Sequence, residues 1–264
     1  MWRTEVVGDT VIRIAGTPFA PALWLVHALG ESSLSFVPLF STRLSSAFEL
    51  LAPDLPGAGL TAADPQLEDL DAAAESLART IAERTASRPI GLVGHSLGAV
   101  IAAKAVRKLA AGVVGFFSIE GNLTEEDAYL SGEAVRFEAP EDFRDYLLRQ
   151  VRTMAETAVP GRGQALWRYY ASVTFAAPET LWRIGRSAKS ASAGDALGEE
   201  YRALTIPTLY YWSPDSTPVA TQEYLRRHGI RNVAFSGGHW AMVERPHETA
   251  EQIGTFFAPL FLAP

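Results

Sequence analysis

The chain has 264 residues, with 23 Lys and Arg against 30 Asp and Glu, and so a net charge of −7. That acidity argues against a nucleic acid held by phosphate contacts, and 48% hydrophobic with 20% charged residues argues against a disordered or fibrous chain. The absence of cysteine excludes a disulfide framework, a thiolate metal site and a cysteine nucleophile, and the length suffices for a full core without staples.

Residues 5–7 and 11–14 read as strands joined through Gly8-Asp9, a hairpin turn. Residues 22–26 (ALWLV) and 48–52 (FELLA) are short apolar runs of the kind that fill strands buried on both faces. Leu70, Ala73, Leu77, Ile81 and Ala82 recur at helical spacing within 67–85. A strand over 90–93, a helix over 99–111 and a strand over 113–119 follow. Strands alternating with helices imply βαβ units and a mostly parallel central sheet flanked by helices, an α/β fold.

That rhythm stops after Glu120. Thr124 and Asp127 form a T-x-x-D capping box, Pro140 opens an amphipathic helix, and Pro160-Gly161 and Ala177-Pro178 punctuate further helices. The rhythm resumes with a strand over 208–212, a helix over 220–227, a strand over 232–235 and a helix over 247–258. Residues 1–120 and 201–264 are thus expected to form a core domain, with 121–200 a helical cap over the carboxyl ends of the strands. Within the cap, residues 125–145 carry a net −6 and residues 146–189 a net +5. Two solvated faces are the plain explanation; a basic face for an anionic group or a carrier protein is the sharper one.

The start of the chain has no basic head and no continuous apolar run, and residues 256–264 are too short to span a bilayer, so a cytoplasmic protein without membrane contact is expected. Asn122-Leu123-Thr124 matches a glycosylation sequon, which outside a secretory context is expected by chance. No metal-ligand spacing and no glycine-rich phosphate loop appear, so no metal or organic cofactor is implied.

The strongest local signal is Gly94-His95-Ser96-Leu97-Gly98, a G-x-S-x-G between a strand and a helix. A nucleophile there stands on a sharp turn with its hydroxyl exposed, and flanking glycines remove Cβ atoms that would collide in the bend. With this motif the sequence resembles the α/β-hydrolase family over nearly its whole length. Supporting segments are Leu25-Val26-His27-Ala28-Leu29-Gly30, residues 52–59 (APDLPGAG), residues 206–209 (IPTL), and Gly238-His239-Trp240 ahead of Glu244-Arg245-Pro246.

The resemblance implies a triad in the order Ser96, Asp215, His239. Serine is a poor nucleophile at neutral pH, so His239 is expected to take its proton, and an acid must hold the imidazole's tautomer and stabilise its charge. Asp215, just past the strand at 208–212, is the family-like choice; Glu120, at the end of the strand over 113–119, is its rival, since haloalkane dehalogenases of the same superfamily use a carboxylate at that strand end. The resemblance also supplies an oxyanion hole from the backbone amides of Leu97 and Leu29, although His27 is followed by Ala28 where the family usually has glycine. His27 and His95 are read as residues that orient backbone, and Asp54 as a structural loop carboxylate. Tyr169, Tyr170, Trp182 and Trp240 are candidates for a substrate pocket. The expected activity is hydrolysis of a carboxylic ester of a small, largely apolar molecule. The alternatives are thioester, lactone, carbon–carbon bond or epoxide hydrolysis, or a binding protein without turnover.

Overall fold

The structure, a computed structural model, describes every residue except Ser87, Ala110, Ala111, Pro160, Ala263 and Pro264. Strands β1 (Trp2–Val7) and β2 (Thr10–Gly16) form the antiparallel hairpin at the start, and β3 (Ala22–Val26) follows. Two single-turn helices that the apolar spacing does not reveal, α1 (Val37–Phe40) and α2 (Leu44–Ala47), precede β4 (Glu49–Pro53). Next come α3 (Leu70–Thr85), β5 (Ile90–His95), α4 (Leu97–Lys108) and β6 (Val113–Ile119). The expected helix over 99–111 thus starts two residues earlier, and its last two positions lie outside the described residues.

Between β6 and β7 the described residues are mostly helical: two 3₁₀ turns, then α5 (Pro140–Thr157), α6 (Gly163–Phe175), α7 (Pro178–Ala191), a further 3₁₀ turn (Ala193–Asp195) and α8 (Ala196–Arg202). The first turn carries the expected capping box, with Asp127 Oδ2 accepting from the amides of Leu123 and Thr124. The Pro160 half of the expected break at 160–161 lies outside the described residues. The chain then runs through β7 (Thr208–Trp212), α9 (Val219–Arg227), β8 (Asn232–Ala234), α10 (Ala241–Glu244) and α11 (Pro246–Leu262).

Among the described residues, eight strands make one sheet in the order β1-β2-β4-β3-β5-β6-β7-β8, and only the β1–β2 and β2–β4 pairings are antiparallel. The apolar runs that predict strands do so because both their faces are covered. Along β3, Leu23 and Leu25 join a core with Phe36, Leu39 and the α11 residues Ile253 and Phe257, while Ala22, Trp24 and Val26 join another with Leu77 and Ile81 of α3 and Ile101 of α4. Burial on two faces leaves no polar alternation in the sequence. Leu197 and Tyr201 place α8 in the second core beside α4, whereas Phe143, Val151, Leu166 and Tyr169 of α5 and α6 continue the first.

Asp54 is fully buried and ties three segments together. It accepts hydrogen bonds from the Ser33 amide at 2.8 Å, the Ser33 hydroxyl at 2.6 Å, the Leu60 amide at 2.9 Å and Arg13 Nη1 at 2.9 Å. Gly59, at φ +56, lies so close that a Cβ there would stand 2.4 Å from the Asp54 carboxyl. Burial pushes the Asp54 pKa up, but these donors outweigh it and the net shift is downward. Such a group stabilises the fold above its unfolded pKa, and the contribution is lost as pH falls through the native value. Asp54→Ala, which strands Arg13 without its partner, is expected to cost about 3–5 kcal/mol, read as a lower urea midpoint. An unchanged midpoint would remove Asp54 from the scaffold.

Candidate active site

The turn from β5 into α4 bends at Ser96, which adopts φ 51° and ψ −127°, a conformation that L residues avoid. The glycines on either side allow it. A Cβ on Gly98 would lie 2.2 Å from the carbonyl oxygen of His27, and one on Gly94 would lie 2.4 Å from the Cα of Ala99. Strand, elbow and helix are in direct backbone contact, and the first turn of α4 presents its unpaired amides beside the serine.

Ser96 and His239 line one cavity at the carboxyl ends of the strands, together with Ala28, Leu29, Glu31, Leu97, Asn122, Asp127, Tyr129, Leu130, Ser131, Tyr169 and Trp240. The histidine sits in the loop between β8 and α10, and its Nδ1 donates to Glu120 Oε2 at 2.6 Å. With Nδ1 carrying the proton, Nε2 is left as the basic nitrogen. Burial favours the neutral imidazole, but the hydrogen bond and charge of Glu120 outweigh it and raise the His239 pKa above the usual 6.5.

The two candidate acids are thereby separated. Glu120 directly follows β6, is 5% exposed, and has φ 45°, the second strained strand-end residue in the site. Its Oε1 accepts from the Ser213 amide at 2.9 Å and the Ser216 hydroxyl at 2.7 Å, while Oε2 faces the histidine. Asp215, the acid expected from the sequence, is not at the histidine. Its side chain is 54% exposed, and its Oδ2 is held by Arg162 Nη2 at 2.6 Å. The loop after β7 therefore contributes donors that hold the carboxylate of the neighbouring strand. Arg162, at the start of α6, also donates to the Gly237 carbonyl at 3.1 Å, so the pair with Asp215 is anchored to the histidine loop.

The amides expected to hold an oxyanion border the cavity. The Ala28 amide donates to Glu31 Oε2 at 3.1 Å, while among the described residues no protein acceptor takes the Leu29 amide. The Leu97 amide opens α4, where a helix has no internal acceptor for it. His27 orients this loop: Nε2 accepts from the Leu55 amide at 3.0 Å, so Nδ1 must donate to the Ala28 carbonyl at 2.8 Å. It is neutral, and burial lowers its pKa accordingly.

The structure divides the four aromatic candidates for the pocket. Tyr169 and Trp240 line the cavity with ring centroids 5.5 Å apart. Tyr170, one residue and about 100° further round α6, packs on Trp167 instead. Trp182 donates its Nε1–H to the Phe137 carbonyl at 2.8 Å and lies beneath Arg186, away from the cavity. Asn122, Asp127, Tyr129, Leu130 and Ser131 are lining residues that the sequence does not mark as such; they come soon after β6, so their chain position alone would have placed them over the strand ends. A second, more apolar cavity adjoins across Ala28, Leu29 and Leu97 and is lined by Leu55, Leu67, Ile101, Leu181 and Ile184.

Among the described residues, no helix is long and apolar enough to cross a membrane, and no three His, Asp or Glu side chains are grouped as metal ligands.

Several solved structures share this architecture. An esterase from Thermogutta terrifontis, with malate bound, is 18% identical over 99% of each chain, with a TM-score of 0.72. The N-acyl homoserine lactonase AidH, in complex with N-butanoyl homoserine, is 16% identical over 100% of this chain and 98% of its own, with a TM-score of 0.77. The epoxide hydrolase CorEH is 14% identical over 98% of this chain and 99% of its own, with a TM-score of 0.72. At such identities the likeness is one of fold, and it spans hydrolases of different bonds. No protein of curated function matches the chain. The description "Alpha/beta hydrolase family" matches residues 25–252, which include the elbow, the β6 carboxylate and the histidine loop, and the chain belongs to that family.

Proposed function

We propose that the protein is a serine hydrolase that cleaves a carboxylic ester of a small, largely apolar molecule through an acyl-enzyme. The observation that carries this reading is a serine on a strained strand-to-helix corner sharing a cavity with a histidine whose Nδ1 is held by a buried carboxylate at 2.6 Å. Ser96 Oγ attacks the ester carbonyl while His239 Nε2 takes its proton. The oxyanion meets the amides of Leu29 and Leu97. His239 then returns the proton to the departing alkoxide, and a water deprotonated by the same imidazole releases the acid and restores the serine. Glu120, not Asp215, holds the imidazole and balances its charge. A hydroxyl at the elbow supports ester over epoxide cleavage, because family members that open epoxides normally place an aspartate there. The helices from α5 to α7 act as the cap, and the apolar cavity beside Leu29 takes the hydrocarbon part of the substrate.

The test is hydrolysis of short p-nitrophenyl esters together with labelling by a fluorophosphonate probe located by mass spectrometry. Turnover with one label on Ser96 is expected; neither turnover nor label would mean a binding protein, or another chemistry, on this scaffold.

A pH profile follows from the same geometry. Catalysis needs neutral His239, whose native pKa is raised, so kcat/KM should fall as pH drops through a value above 6.5. Glu120→Gln removes the carboxylate charge and should move that limb to lower pH. A limb that stays in place would detach Glu120 from His239 in solution.

A further inference from the structure

Beside Glu120 and His239 lies a second carboxylate–imidazole pair that the reaction does not consume. Glu31 is 1% exposed and His95 is fully buried; Glu31 Oε2 and His95 Nδ1 are 3.2 Å apart. Each group has further partners. Glu31 Oε2 also accepts from the Ala28 amide at 3.1 Å, and Oε1 accepts from Trp240 Nε1 at 2.5 Å. His95 Nε2 lies 2.9 Å from the backbone carbonyl of His239.

The bonding follows from what each partner can do. A carbonyl oxygen only accepts, so His95 Nε2 carries a hydrogen toward the His239 backbone. Both oxygens of Glu31 receive N–H groups. Burial pushes the Glu31 pKa up, but the His95 ring facing it and the Ala28 amide outweigh that and bring it to about 2, so Glu31 meets its partners as a carboxylate.

We propose that Glu31 is the positioning residue that holds the site's three loops in register. From Glu31 run bonds to the oxyanion loop through Ala28, to the elbow through His95, and to the histidine loop through Trp240 and, by way of His95, the His239 carbonyl. These loops follow three different strands, and one carboxylate meets all of them.

The role rests on the serine-hydrolase reading. The ring centroids of His95 and His239 are 4.6 Å apart, so the pair also packs directly on the general base.

Glu31→Gln should slow fluorophosphonate labelling of Ser96 by about tenfold to a hundredfold, since an amide cannot accept at both positions where the carboxylate does. With short p-nitrophenyl esters the loss should fall on kcat and leave KM within about threefold, and Glu31→Asp, which keeps both acceptor oxygens, should recover part of it. A wild-type labelling rate in Glu31→Gln, or a loss confined to KM, would overturn the positioning role. Failure of the wild-type protein to label at all would instead refute the hydrolase reading on which the role rests.

Discussion

Ser96→Ala is expected to lower ester turnover by at least about ten-thousand-fold and to abolish fluorophosphonate labelling, since the atom that would form the acyl bond is gone. The fold should survive, because Ser96 lines a cavity and its side chain is not part of either core. A companion variant separates chemistry from strain. Ser96 holds φ 51° at a cost of order 1–3 kcal/mol, and glycine adopts that conformation freely. Ser96→Gly should therefore be as inactive as Ser96→Ala yet melt at a higher temperature, by the equivalent of about 1 kcal/mol. Turnover that survives either substitution would end the nucleophile assignment; equal melting temperatures would mean that the bend is not strained.

The second large effect separates two carboxylates at the ends of neighbouring strands. Glu120→Gln keeps the shape of the side chain, but its amide cannot accept from His239, Ser213 and Ser216 together, and it no longer fixes the tautomer that leaves Nε2 basic. A loss of about a thousandfold to ten-thousandfold in kcat is expected, the scale seen when a triad acid becomes its amide. Asp215→Asn loosens only an exposed ion pair with Arg162, worth about 0–1 kcal/mol, and should change kcat by less than about threefold. The reverse ranking would restore Asp215 as the acid and make the hydrogen bond to Glu120 a structural one.

That pair of residues also shows where sequence reading stops. The ends of β6 and β7 were legible because the strands are apolar runs bounded by polar turns, and so was the presence of an acid at each. Which acid turns inward depends on the left-handed backbone at Glu120 and on Arg162, 53 residues before Asp215, capturing it at the surface. Neither leaves a local pattern. The elbow was legible because the bend, its serine and both glycines fall within five residues of chain, whereas the single-turn helices over 37–47 are too short to show a period. Tyr169 and Tyr170 mark a similar limit: one step along a helix decides which faces the cavity, and that phase is set by packing in α5 and α6. His95 could be recognised from the sequence as orienting backbone, but not its partners, Glu31 and a carbonyl 144 residues away.

The bond from Trp240 to Glu31 joins residues 209 apart, and with it the first long loop and the last are fastened only once the strands between them are in place. Recovery of activity after denaturation should therefore lag behind the return of helical signal, because long-range closures form late in such topologies. Cleavage of the chain between α5 and α7 should leave no fragment with partial function, since Ser96 and Glu120 would lie on one piece and His239 on the other.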